Sequence, residues 1–241
     1  MFHRAIVVGA SSGIGEQIVL QLSAQGTRVA AIARRKERLE ELAAKARNEV
    51  LVAAHDVLDY DAAPAIFDGL VEELGGLDLL IYCAGVMPEV EEGEYDFAKD
   101  RAMLEVNLVG AVRWLDLAAG LMEAQRQGTL VGISSVAGDR GRRGAPVYTA
   151  SKAGLTAYME ALRNRCHRYG VEVVTVKPGP VRTPMTTGKK LPFMIDADEA
   201  ATGVLKLAER GTGSGYVPLI WWPIMSIIQA VPSFIFRKTN V

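Results

Sequence analysis

Cysteine is almost missing from this sequence: Cys83 and Cys166 are the only two in 241 residues, far apart and without metal-ligand spacing. That excludes a disulfide framework and a thiolate metal site, and it suits a reducing compartment such as the cytoplasm. Neither sign of charge is in excess, with 27 Lys and Arg against 28 Asp and Glu, so no global field draws in a polyanion. Aromatic residues are sparse and no basic stripe runs between them, which argues against nucleic acid as a partner. A signal peptide is missing too, because Met1-Phe2-His3-Arg4 runs straight into AIVVG, a first strand. No repeat, low-complexity tract or linker interrupts the chain, and its length suits one large domain.

Strand-length apolar runs instead alternate with helical patterns from Arg4 to Arg210. Unbroken Val/Ile/Leu/Ala strands are expected at 4–8, 27–33, 50–54, 77–82, 129–134 and 171–177, with a short one near Tyr216–Val217. Helices are expected at 13–25, 36–47, 62–73, 147–169 and 198–210, with two more across 96–120. Such an order implies an α/β domain, doubly wound around a parallel sheet covered on both faces. It fills residues 1–218 and leaves 219–241 as an apolar C-terminal extension.

The first strand-to-helix turn is Gly9-Ala10-Ser11-Ser12-Gly13-Ile14-Gly15. Glycines in this place let the backbone approach a pyrophosphate, and the helix start offers free N–H groups. The spacing is GxxxGxG rather than GxGxxG. At the end of the second strand an acid would hold a ribose hydroxyl, whereas arginine accommodates a 2′-phosphate. Arg34 and Arg35 stand there and no acid does, which points to NADP (NADPH). Asp56, after the third strand, either accepts from an adenine amino group or caps the next helix.

Tyr148 and Lys152 lie four apart on one predicted helix, hence one turn apart on one face. An ammonium within ~4–6 Å lowers a phenol's pKa by ~1–3 units, so Tyr148 is expected below its ordinary range. Ser134 and Ser135 end an apolar strand, where functional groups project from the carboxyl edge of a sheet.

In order, GASSGIG (9–15), Asp56-Val57, Cys83-Ala84-Gly85, Asn107, Ser134-Ser135, YTASK (148–152) and PGPVRTP (178–184) make the chain resemble the short-chain dehydrogenase/reductase family. The resemblance spans nearly its whole length and implies a single Rossmann-like domain and an NADP(H)-dependent oxidoreductase. It implies Tyr148 as the acid/base and Lys152 as the group that lowers its pKa and binds ribose. It also implies Asn107 as a proton-relay residue and Ser135, thirteen before the tyrosine, as the carbonyl-binding serine, which leaves Ser134 structural. Cofactor contacts are implied for Gly9, Ser11, Ser12, Gly13, Ile14, Gly15, Arg34, Arg35, Asp56, Val57, Ala84 and Gly85, and for Pro178, Gly179, Val181 and Thr183. Assembly as a homodimer or homotetramer is implied as well, and no metal. Val8 and Cys83 depart from the Thr and Asn usual in the family, which predicts looser cofactor loops. Cys83 itself reads as a small buried hydrophobe and not a reactive thiol.

Two stretches remain. Asp139-Arg140-Gly141-Arg142-Arg143-Gly144 is a basic loop before the tyrosine, either a solvated or subunit-contact loop or a rim for an anionic substrate. Leu219–Phe236 is eighteen residues without a charge, followed by Arg237-Lys238. It suits core or subunit interface, a lid over a greasy substrate, or an interfacial membrane contact, and Pro223 and Pro232 rank a spanning helix last. Together SSVAGDRGRR and VPSFIFRK resemble the lipid-linked keto-sugar reductases, which implies a polyprenyl-phosphate sugar substrate. The leading reading is a carbonyl reductase or alcohol dehydrogenase. A soluble 3-oxoacyl reductase and a catalytically silent NADP-binding regulator are the alternatives.

Overall fold

A computed structural model describes residues 1–211 and 213–239; the last two residues of the expected extension lie outside them. Seven parallel strands form one sheet: β1 (Arg4–Val8), β2 (Arg28–Ala33), β3 (Val50–Ala54), β4 (Leu79–Tyr82), β5 (Gly128–Ile133), β6 (Val171–Pro178) and an edge strand, β9 (Ser214–Val217). Their order is β3-β2-β1-β4-β5-β6-β9, so the winding reverses between β1 and β4, where open α/β sheets bind ligands. A two-residue ladder of β7 (Val181–Arg182) and β8 (Ile195–Asp196) lies apart from it.

Alternating side chains of each strand enter two cores. Ala5 and Val7 of β1 pack with Ile18 and Leu22 of α1 (Gly13–Ala24), Leu39 of α2 (Lys36–Lys45) and Val204 of α7 (Ala197–Arg210). Ile6 and Val8 pack with Phe67 of α3 (Ala63–Leu74), Trp114 of α5 (Gly110–Gln125) and Leu155 of α6 (Pro146–Cys166). The fourth strand starts two residues later than expected. Asp78 turns its carboxylate inward to accept from the N–H groups of His3 and Arg4 at 3.0 and 2.9 Å, which ties the lower ends of β1 and β4.

Helix α4 (Phe97–Leu104) and α5 are joined without a loop by a π turn, Glu105–Val109. The Val106 carbonyl there receives the Tyr82 hydroxyl at 2.6 Å. A Cβ on Gly110 would stand 2.7 Å from that hydroxyl, so a glycine is needed where the tyrosine enters the helix. The apolar extension also breaks as its prolines demand, into α8 (Trp221–Ala230) and α9 (Ser233–Phe236). Among the described residues no helix is long and apolar enough to cross a membrane.

Candidate functional site

The ends of β1, β4, β5 and β6 place the glycine turn, Ala84-Gly85, Ser134-Ser135 and the Pro178-Gly179 turn along one edge of the sheet. Gly9 has φ +91°, and a Cβ on it would overlap the backbone of Ala84; one on Gly15 would overlap the Gly9 carbonyl. The turn, the candidate nucleotide cradle, is therefore packed backbone against backbone at these two positions, where only glycine fits. Ser12 precedes α1 with extended backbone and does not cap it with its hydroxyl, which instead receives Arg35 Nη2 at 2.8 Å. Arg35 also donates to the Ser11 hydroxyl at 2.8 Å. The first-turn N–H groups of α1 thus face the cradle, and two arginines follow β2 without an acid. These residues fit a dinucleotide carrying a 2′-phosphate.

Arg34 ion-pairs with Asp56 at 3.7 Å, both exposed. Asp56 does not cap α3, which starts at Ala63; its carboxylate takes the Leu58 N–H at 3.1 Å in a local turn. Val57 is buried against Gly110. Thr183 begins a short turn at Pro184 and sets its methyl group near Gly13, so the segment after β6 closes onto the glycine turn. Val181 is buried and pairs with Ile195. Cys83 occupies the place where the looser loop was expected, and its sulfur accepts the Gly15 N–H. Burial pushes its thiol up to about 11.

The π turn turns Asn107 inward, where it is fully buried. Its Oδ1 accepts from Val86 N at 2.7 Å, and its Nδ2 donates to Val86 O at 3.0 Å and to Ser151 Oγ at 3.1 Å. Ser151 in turn donates to the Tyr148 carbonyl at 2.7 Å. Gly85 runs between Asn107 and Lys152, since a Cβ there would lie 3.3 Å from Asn107 Oδ1 and 3.5 Å from Lys152 Nζ. Lys152 is buried and donates to Ile133 O at 2.9 Å. The two serines have different partners. Ser134 Oγ bonds the Lys152 carbonyl at 2.9 Å and Thr156 Oγ1 at 2.7 Å, pinning α6. Ser135 hydrogen-bonds Tyr148.

Residues 3–191 match the short chain dehydrogenase family. The chain belongs to that family. An uncharacterised oxidoreductase of Mycobacterium tuberculosis is 34% identical over 236 residues, covering 94% of this chain and 92% of its own. One from Myxococcus xanthus is 34% identical over 215 residues, covering 87% and 85%. Among solved structures, the actinorhodin polyketide ketoreductase with NADPH superposes with a TM-score of 0.81 at 28% identity, covering 90% of this chain and 95% of that one. As a short chain dehydrogenase, the chain is an oxidoreductase of the kind that works with a nicotinamide cofactor.

In this short chain dehydrogenase the tyrosine–lysine pair does not behave as the spacing alone suggested. Burial raises Tyr148 above the ordinary phenol range and outweighs the Ser135 hydrogen bond and the Arg142 charge that oppose it. Lys152 Nζ stands 6.0 Å from the ring centroid, and burial lowers its own pKa to about 8. The phenol is therefore protonated at neutral pH, and the cation that favours its ionisation comes from the basic loop.

That loop is not a uniform rim. Asp139 is locked by Lys177 at 2.5 Å and by the Tyr216 hydroxyl at 2.8 Å. Arg140 donates to the carbonyls of Gln229 at 3.0 Å and Val231 at 2.9 Å, and lies 4.6 Å over the Phe236 ring. It thereby satisfies carbonyls at the end of α8 that no helix turn follows. Arg143 pairs with Glu92 at 3.2 Å. The sequence offered a solvated loop or an anion rim, and the structure shows a brace for the C-terminal tail. On the inner side of α8, Trp221 and the fully buried Met225, one turn apart, pack with Val136 beside Ser135. A Cβ on Gly179 would overlap the Trp221 indole, and Phe193 meets that ring edge-on at 6.0 Å. Tyr82 and Ser151 are the parts of the site that pattern reading missed, whereas Arg142 and α8 lie in the basic loop and apolar extension that it singled out.

Proposed function

We propose that the chain reduces a carbonyl group on a hydrophobic or lipid-linked substrate with NADPH, the carbonyl carbon taking a hydride and the oxygen a proton from Tyr148. The observation that carries it is a half-buried Tyr148 hydrogen-bonded to Ser135, on the helix that also carries the buried Lys152, with the buried Asn107 joined to it through Ser151. A phenol loaded with its proton at neutral pH suits reduction, in which the substrate oxygen must be protonated. Ser135 donates to that oxygen as negative charge develops on it. In this reading Lys152 binds ribose hydroxyls and returns a proton to Tyr148, its pKa of about 8 keeping it charged at neutral pH. Asn107 takes the relay place, and its amide fixes Val86 and Ser151 around the tyrosine. NADPH, when bound, supplies the hydride. A complete proton-handling set speaks against a silent regulator.

Support for NADPH over NADH comes from Arg34 and Arg35, and from the NADPH bound to the solved ketoreductase. Arg34→Asp is expected to lower the NADPH:NADH ratio of kcat/KM by about 10–100-fold, the range of one charge-assisted contact to a phosphate. Steady-state kinetics with both cofactors check this, and a wild type that already prefers NADH overturns it.

The outward side of the tail carries Leu219, Trp222, Ile227 and Phe234, each more than half exposed, ahead of Arg237 and Lys238. We take this face as a peripheral membrane contact beside the substrate entrance, with a homodimer or homotetramer resting on exposed Phe97, Leu104 and Val109. Such a face holds an apolar chain at ~0.8 kcal/mol per buried CH₂. Truncation after Pro218 is expected to abolish co-sedimentation with anionic liposomes. An intact protein that never sediments sinks the membrane reading.

A further inference from the structure

Arg142 differs from the arginines on either side of it. Its Nε is buried with no hydrogen-bond partner among the described residues. Its Nη2 rests against the thioether sulfur of Met225 at 4.0 Å. The one carboxylate near it, Asp139, is already held by Lys177 and Tyr216. Arg140 and Arg143 are engaged with the tail and with Glu92. A half-buried guanidinium whose Nε has no acceptor and whose Nη2 has only a thioether sulfur is costly, because desolvation is poorly offset by pairing. Met225 is itself fully buried on α8, and Arg140 holds the end of α8 two residues earlier in the same loop. The guanidinium is thus kept in place by packing and not by a salt bridge. It interacts electrostatically with Tyr148.

We propose that Arg142 is a substrate-binding residue that receives an oxyanion, a carboxylate or phosphate carried by the carbonyl substrate, beside the Tyr148 hydroxyl. A planar guanidinium with a free edge suits two oxygens of one anion. The substrate class is therefore a keto acid or a keto phosphate. The siting of the anion next to the carbonyl rests on the reductase reading above. Arg142 also bears on the tyrosine directly: without its charge the Tyr148 phenol is harder to ionise.

Two measurements separate this proposal from the reductase reading. The first is turnover with NADPH of a β-keto carboxylate and its methyl ester, and of hydroxyacetone phosphate and hydroxyacetone. Wild type is expected to favour the ionised member of each pair that it reduces, and Arg142→Leu to lower that kcat/KM ratio by about 10–100-fold, the value of a charge-assisted contact. Arg142→Lys is expected to restore part of the preference, and Arg143→Leu to leave the ratio alone. Comparing the two pairs distinguishes carboxylate from phosphate. The second is binding of the β-hydroxy carboxylate and its ester to the NADP-loaded protein by titration calorimetry, with folding of each variant checked by circular dichroism. Should wild type discriminate neither between carboxylate and ester nor, in the same titration, between hydroxyacetone phosphate and hydroxyacetone, or should Arg142→Leu keep the discrimination, the proposal is overturned whatever the turnover data show. Discrimination in binding without turnover of any ketone would uphold the anion site and remove the reductase reading instead.

Discussion

Tyr148→Phe is expected to lower kcat for carbonyl reduction on the order of 10²–10⁴-fold, the range for a positioned general acid, while NADPH still binds. The phenol oxygen is the group that both holds a proton at neutral pH and meets Ser135. The residues of the glycine turn, Arg34 and Arg35 do not depend on it. Phenylalanine keeps the ring beside Lys152 and fills the same volume, so the helix has no reason to move. Fluorescence titration of NADPH, run beside single-turnover reduction, separates the two effects. A variant that keeps most of its rate would remove Tyr148 from the chemistry. A variant that loses NADPH affinity to the same degree would show that the hydroxyl serves cofactor binding and not proton transfer.

Ser135→Ala is expected to cost on the order of 10²–10³ in kcat, as for one preorganised donor to a developing oxyanion. Its neighbour gives the contrast. Ser134 is buried and spends its hydroxyl on the Lys152 carbonyl and on Thr156, so Ser134→Ala should appear in the denaturation midpoint, with a loss of about 1–3 kcal/mol, more than in kcat. Parallel urea melts and kinetics of the two variants check the assignment. If Ser134→Ala proves the more damaging to kcat, the roles are reversed.

The chain order made the sheet, its parallel sense and the glycine cradle legible, because unbroken Val/Ile strands and the GxxxGxG turn are local signals. The candidate catalytic residues came from the family resemblance, which YTASK and Ser134-Ser135 carry within short spans. What escaped is what depends on pairs far apart in sequence. The ladder of β7 and β8 is too short to carry a period. The π turn at Asn107 arises because the Tyr82 hydroxyl, twenty-four residues away, takes the Val106 carbonyl, and no periodicity in 96–120 reports that. The upward shift of Tyr148 follows from burial under the assembled site, which spacing to Lys152 does not show. The arginine loop read as one basic cluster, yet each arginine has a different partner. Only the fold reveals that Arg140 belongs to the tail.

The bond from Arg140 to the Val231 carbonyl spans 91 residues and has a consequence for how the enzyme is made. Translation proceeds at roughly 5–20 residues per second, so on the ribosome the loop beside Tyr148 waits on the order of ten seconds for its brace to be synthesised. The sheet through β6 can assemble in that interval, while the wall of the substrate pocket cannot. Nascent chains that end between β9 and Gln229 would therefore carry the whole first core with the arginine loop still unbraced.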